Sequence, residues 1–129
     1  MIRPFSFTAS VVPVLLGLAT ALVEGGSYLA SFPMVLVGAV AIQAGTNVTN
    51  EYHDVRTGVD TAATPRASKV VLDRRLDPEA VRRSAFCFFA LALVLGAVVS
   101  RWAGPAVLGM VLLGCVAGYA YTGPPVHFK

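Results

Sequence analysis

Charge is scarce in this chain. Asp, Glu, Lys and Arg make up 13% of its 129 residues against 56% hydrophobic ones, and the mean hydropathy is +0.70. A water-soluble domain of this size needs far more charge to cover its surface. Cysteine is almost missing as well. Cys87 and Cys115 both lie inside apolar runs, which excludes a disulfide-stapled secreted scaffold. The hydrophobicity excludes intrinsic disorder. Aromatic residues do not interleave with basic ones, so the pI near 9.2 gives no reason to expect a nucleic-acid partner. What charge there is clusters. Thirteen of the seventeen charged residues lie between Glu51 and Arg83, and Arg3, Glu24, Arg101 and Lys129 are the others. This is the composition of a chain whose solvent is the lipid bilayer.

Four uncharged runs surround the charged segment. Phe5–Val23 is 19 residues long, which at about 1.5 Å per residue reaches roughly 28 Å, close to the thickness of a hydrocarbon core. Gly25–Asn50, Ser84–Ser100 and Trp102–Phe128 follow, with 26, 17 and 27 residues. None alternates with a period of two, and backbone polar groups in lipid must bond within their own segment, so helices are expected and strands are not. The sequence predicts an all-α integral membrane fold of four transmembrane helices near 5–23, 32–52, 81–100 and 104–122, with a polar loop over 53–80. A cleavable signal peptide would also place Arg3 before an apolar stretch, but the first run is long for one and three more spans follow. With four crossings, Arg3, Arg56, Arg66, Lys69, Arg74, Arg75, Arg82, Arg83 and Lys129 share one side and Arg101 stands alone on the other. The positive-inside rule then places both termini and the long loop in the cytoplasm, in a cell membrane. Tyr28, Trp102 and Tyr121 near the run ends fit interfacial anchoring. The Ala41/Gly45 and Gly114/Gly118 pairs fit close helix packing.

The unusual segment begins at Gln43. Here a hydrophobic helix becomes densely polar while still at membrane depth, where polar groups are costly and mark function. Asn47, Asn50, Glu51 and Asp54 are related by steps of three, four and seven, so on a helix they share one face as two carboxamides and two carboxylates. Such hard oxygen donors favour Mg²⁺ or Ca²⁺ over zinc, and Mg²⁺ held by one or two carboxylates completes its shell with water and substrate phosphates. The negative end of the helix dipole favours a cation there too. Arg66 and Lys69 follow within a short stretch, and metal plus cations is what a diphosphate requires. Arg74, Arg75, Arg82 and Arg83 read instead as a solvated surface facing anionic lipid heads. His53 reads as a polar residue rather than a ligand. Leu76-Asp77-Pro78-Glu79 opens the third helix, with Asp77 as N-cap and Pro78 at the first helical position.

Asn50-Glu51-x-x-Asp54 resembles the first aspartate-rich motif of the UbiA superfamily of intramembrane prenyltransferases, N-D-x-x-D-x-x-x-D. The longer pattern Asn47-x-x-Asn50-Glu51-Tyr52-x-Asp54-x-x-x-Gly58-x-Asp60 is similar to the branch that prenylates 1,4-dihydroxy-2-naphthoate in menaquinone synthesis. Arg3-Pro4-Phe5-Ser6-Phe7 through Pro13-Val14-Leu15-Leu16-Gly17, and Tyr121-Thr122-Gly123-Pro124-Pro125, agree with it in order. The resemblance implies a Mg²⁺-dependent transferase that moves a polyprenyl group from an allylic diphosphate to an aromatic or quinonoid acceptor. It implies Asn50, Asp54 and Asp60 as catalytic residues, and Asn50, Glu51 and Asp54 as metal ligands. Asn47, Arg66, Lys69, Tyr121 and Lys129 become substrate contacts.

Two positions depart from the general motif: Glu51 stands for Asp, and Gly58 for the last Asp. Members of the superfamily have about nine transmembrane helices and a second aspartate-rich motif, whereas no acidic cluster follows Glu79 here. The expectation is therefore the N-terminal part of a prenyltransferase, from a truncated gene or with its C-terminal half encoded separately. A catalytically inactive remnant is one alternative. Another is a small cation-binding transporter or assembly factor, although no charged residue lies inside any run to form an ion path.

Overall fold

The computed structural model describes residues 4–26, 29–57 and 77–123. A 3₁₀ turn, Pro4–Phe7, leads into α1 (Thr8–Val23); α2 (Phe32–Arg56), α3 (Pro78–Ala103) and α4 (Ala106–Ala120) follow. The described residues are all-α, as the hydropathy pattern requires. Two helices, α2 with 25 residues and α3 with 26, are long and apolar enough to cross a bilayer, while α1 and α4 are shorter apolar helices.

The helix bounds differ from the sequence expectation for local reasons. α2 continues past residue 52 to Arg56, so His53, Asp54 and Val55 belong to the helix and not to the loop. α3 starts at Pro78, whose fixed φ suits a first helical position. Asp77 precedes it with extended backbone but makes no side-chain cap bond, which corrects the capping role expected of its carboxylate. α4 starts only after Gly104 and Pro105, because Gly104 has a φ of 94° that a side chain would strain. That turn joins α3 to α4 as a tight antiparallel pair. α1 ends in a Schellman arrangement: Gly26 N–H donates to the Ala21 carbonyl at 2.8 Å and Gly25 N–H to Leu22 at 3.1 Å, with Gly25 at φ 78°.

α2 lies at the centre, packed most extensively along α3 and also against α1 and α4; α3 in turn packs on α4. Two small cores hold this together. Val48, Tyr52, Val81 and Ala85 close the end near Arg56, with Val55 and Phe88 against them. Ala41, Phe89, Ala92 and Cys115 form the second, further along. α1 buries no residue and α4 buries Cys115 alone. Leu16, Met110 and Leu113 point outward at 63%, 73% and 70% exposure, which suits side chains meant to face hydrocarbon.

Glycine sets the helix separations. A Cβ on Gly45 would lie 2.9 Å from the Phe89 ring, one on Gly96 would lie 2.9 Å from Val111, and one on Gly118 would collide with the Thr46 hydroxyl. Around Gly17 and Gly109 there is open space. Gly45→Val and Gly118→Val should therefore each destabilise the bundle by about 1–3 kcal/mol, the usual cost of overpacking. Gly17→Ala and Gly109→Ala should be neutral or slightly stabilising. Thermal unfolding in detergent, followed by circular dichroism, checks the contrast.

Candidate functional site

α2 carries its polarity on one side. At about 100° per residue, Asn50, Gln43, Asp54, Asn47 and Glu51 fall within an arc of roughly 100°, while Ala41, Gly45, Val48 and Tyr52 point the other way, toward α3. The arc lies between α1 and α4. Ser10 Oγ donates to Gln43 Oε1 at 3.3 Å, and Asn47 Nδ2 donates to Ser6 Oγ at 2.8 Å, which ties the start of the chain to α2. From the other flank, Thr122 Oγ1 donates to Asn50 Oδ1 at 2.6 Å. Thr46, one turn before Asn50, returns its hydroxyl to the Ile42 carbonyl at 2.9 Å.

Glu51 and Asp54 are both buried, at 6% and 5% exposure. Two carboxylates at the end of an apolar helix would be expensive without a ligand or partner to meet them. Asn50 is fixed in orientation: its carbonyl oxygen takes the Thr122 proton, and its Nδ2 remains as a donor. The structure thus brings together Asn47, Asn50, Glu51 and Asp54 on one face, as the spacing predicts. Among the described residues no three His, Cys, Asp or Glu side chains converge on one point; the donors that this face of α2 offers are two carboxylates, Glu51 and Asp54, and the carboxamides of Asn47 and Asn50. That donor set fits Mg²⁺, which takes one or two carboxylates and leaves the rest of its shell to water and phosphate.

Tyr121 is 45% exposed, and its neighbour Thr122, 4% exposed, is the residue that reaches Asn50. Asp60, Arg66, Lys69 and Lys129 lie outside the described residues. His53 is half-buried and edge-on between Tyr52 at 5.0 Å and Tyr119 at 6.1 Å. Sequence reasoning missed Ser6, Ser10 and Thr122 as partners of the polar face. The signal was present in Ser6 and Ser10, spaced one turn apart, opposite Gln43 and Asn47, also one turn apart.

Comparison with known proteins adds the lineage. Residues 10–129 match the UbiA prenyltransferase family. The chain belongs to that family. It is 35% identical over 127 residues to a 1,4-dihydroxy-2-naphthoate octaprenyltransferase of Bacillus subtilis, covering 96% of this chain and 40% of that protein. It is 32% identical to a 2-carboxy-1,4-naphthoquinone phytyltransferase of Synechocystis, covering 96% and 40%. With human UbiA prenyltransferase domain-containing protein 1 it shares 31% identity, covering 95% and 37%. The chain thus spans about two fifths of the length of these curated relatives. No solved structure matches it. This family setting makes the chain a membrane protein, in keeping with its apolar helices.

The Thr122–Asn50 bond gives a direct test. Thr122→Val should cost about 1 kcal/mol of stability by leaving Asn50 without its donor, and Thr122→Ser should recover most of it. A double-mutant cycle with Asn50→Ala, read by thermal unfolding, should show the two changes to be coupled rather than additive.

Proposed function

We propose that this chain forms the diphosphate-binding part of a polyprenyltransferase acting on an aromatic or quinonoid acceptor such as 1,4-dihydroxy-2-naphthoate, in concert with a separate C-terminal portion. The observation that carries the reading is the Asn47–Asp54 face of α2, buried at the polar end of an apolar helix and braced from both flanks. Membership of the family supports the transferase chemistry, and the Bacillus subtilis relative supports a naphthoate acceptor. The inactive-remnant and cation-transporter readings have no specific observation in their favour.

Asp54 and Glu51 would hold Mg²⁺, with carboxamide oxygens of Asn50 and Asn47 beside them. Mg²⁺, when bound, neutralises charge on the departing diphosphate. Asn50 Nδ2, aimed by the Thr122 bond, donates a hydrogen bond to a diphosphate oxygen. Ser6 holds Asn47 in register. Asp60 belongs near the same site, and Arg66, Lys69, Tyr121 and Lys129 offer contacts to the remaining diphosphate charge. The apolar walls keep water from a developing allylic cation, so the electron-rich acceptor captures it.

Asp54→Asn should weaken Mg²⁺-dependent retention of a labelled polyprenyl diphosphate by about tenfold or more, about 1.4 kcal/mol. Glu51→Gln should cost less, because Glu51 is rotated by about 100° from Asn50 while Asp54 lies one turn from it. The Mg²⁺ titration should be run on this chain and its two variants side by side. An unchanged Mg²⁺ requirement in Asp54→Asn with a raised one in Glu51→Gln reverses the ligand assignment.

The same reading has all four helices crossing the membrane with the polar end of α2 in the cytoplasm. In a chain whose native cysteines are replaced, Thr57→Cys should be protected from an impermeant thiol reagent added outside intact cells, and Ala30→Cys should react. The opposite pattern rejects this topology.

A further inference from the structure

The far side of α2 holds a second polar feature that the diphosphate site does not use. Arg56 is about 160° around the helix from Asp54, so its guanidinium turns away from the carboxylate face. There, between the polar ends of α2, α3 and α4, lies a cleft of about 320 Å³ whose lining includes Tyr52, His53, Arg56, Arg82, Phe86 and Tyr119. Its volume is at the lower end of the range for ligand sites, about 300–1,000 Å³.

The lining is cationic and aromatic. Arg56 Nη1 donates to Tyr52 Oη at 2.7 Å, and its guanidinium stands 5.7 Å from the centre of that ring. Among the described residues Arg56 has no carboxylate partner within ion-pair distance. Arg82 is placed 6.0 Å from the Phe86 ring and engages Glu79, also on the lining, through Nε at 3.0 and 3.2 Å. Glu79 sits in the first turn of α3. Two guanidiniums against one carboxylate leave the cleft with a net positive charge. Tyr119 closes it, 6.0 Å from Phe86 and 6.1 Å from His53.

We infer that this cleft binds the phosphate of an anionic phospholipid headgroup. Arginine presents a planar fork that matches phosphate oxygens, and basic pockets between transmembrane helices at the polar boundary recognise such headgroups. The surface leading away from it favours a lipid over a free anion. Phe86 is 48% exposed, and on α4 below Tyr119 come Val116 at 63% and Leu112 at 47%, an aliphatic track on which acyl chains can lie.

The test is native mass spectrometry of the delipidated full chain titrated with phosphatidylglycerol, phosphatidylcholine and inorganic phosphate, with no prenyl diphosphate present. The result is then independent of the transferase reading. Phosphatidylglycerol should bind at least tenfold more tightly than phosphatidylcholine, and phosphate should not displace it at equal concentration. Arg56→Gln should abolish the preference. Glu79→Gln should strengthen phosphatidylglycerol binding, a gain that misfolding cannot imitate. Equal binding of the two lipids, displacement by phosphate, or indifference to both substitutions overturns the proposal.

Discussion

A polar side chain inside a bilayer must find its partner within the protein, and α2 carries a row of them. Gln43, Thr46, Asn47 and Asn50 lie along the helix as it nears its polar end, and each is met: by Ser10, by the Ile42 carbonyl, by Ser6 and by Thr122. In water these bonds would be worth little, because solvent competes for every donor. Where no water competes, they decide which segments stand beside α2. The leading turn and α1 are drawn to one flank and the end of α4 to the other, although neither α1 nor α4 has much apolar surface buried to hold it.

The opposite flank works by shape. Small residues let α3 and α4 approach closely enough for Phe89 to lie over Gly45 and Val111 over Gly96. This dry contact between α2 and α3 gives the helix a rigid backing, so its polar side chains project from a surface that cannot turn. A Cβ at Gly45 would shift α2 against α3, and with it every oxygen on the far face, whereas one at Gly96 would push α4 away from α3. The packed side and the polar side therefore occupy opposite faces of one helix.

The hydropathy runs made the four helices readable, since little besides helix satisfies an uncharged stretch of that length in lipid. The spacing of Asn47, Asn50, Glu51 and Asp54 likewise revealed a common face. The helix ends were harder. Only Val55 in His53-Asp54-Val55-Arg56 is apolar, yet α2 continues through all four, because Tyr52 and Val55 pack on Val81 and Ala85 and tertiary contact overrides composition. The partner of Asn50 was hidden for another reason. Tyr121 and Thr122 are adjacent in the chain, and which of them turns inward depends on how the last turn of α4 meets α2, a relation between helices that local pattern does not carry.

α2 is also a depth gauge. Asn50 comes 18 residues after Phe32 in an unbroken helix, about 27 Å along its axis, close to the far edge of a hydrocarbon layer of roughly 30 Å. An amphiphile whose headgroup meets Asn50 thus sits at nearly the level it already occupies in the leaflet, with its tail still among lipid chains. It can arrive by sliding sideways in the plane of the membrane. For such an amphiphile the free energy of pulling a long hydrocarbon chain into water, about 0.8 kcal/mol for each methylene, is no part of the approach.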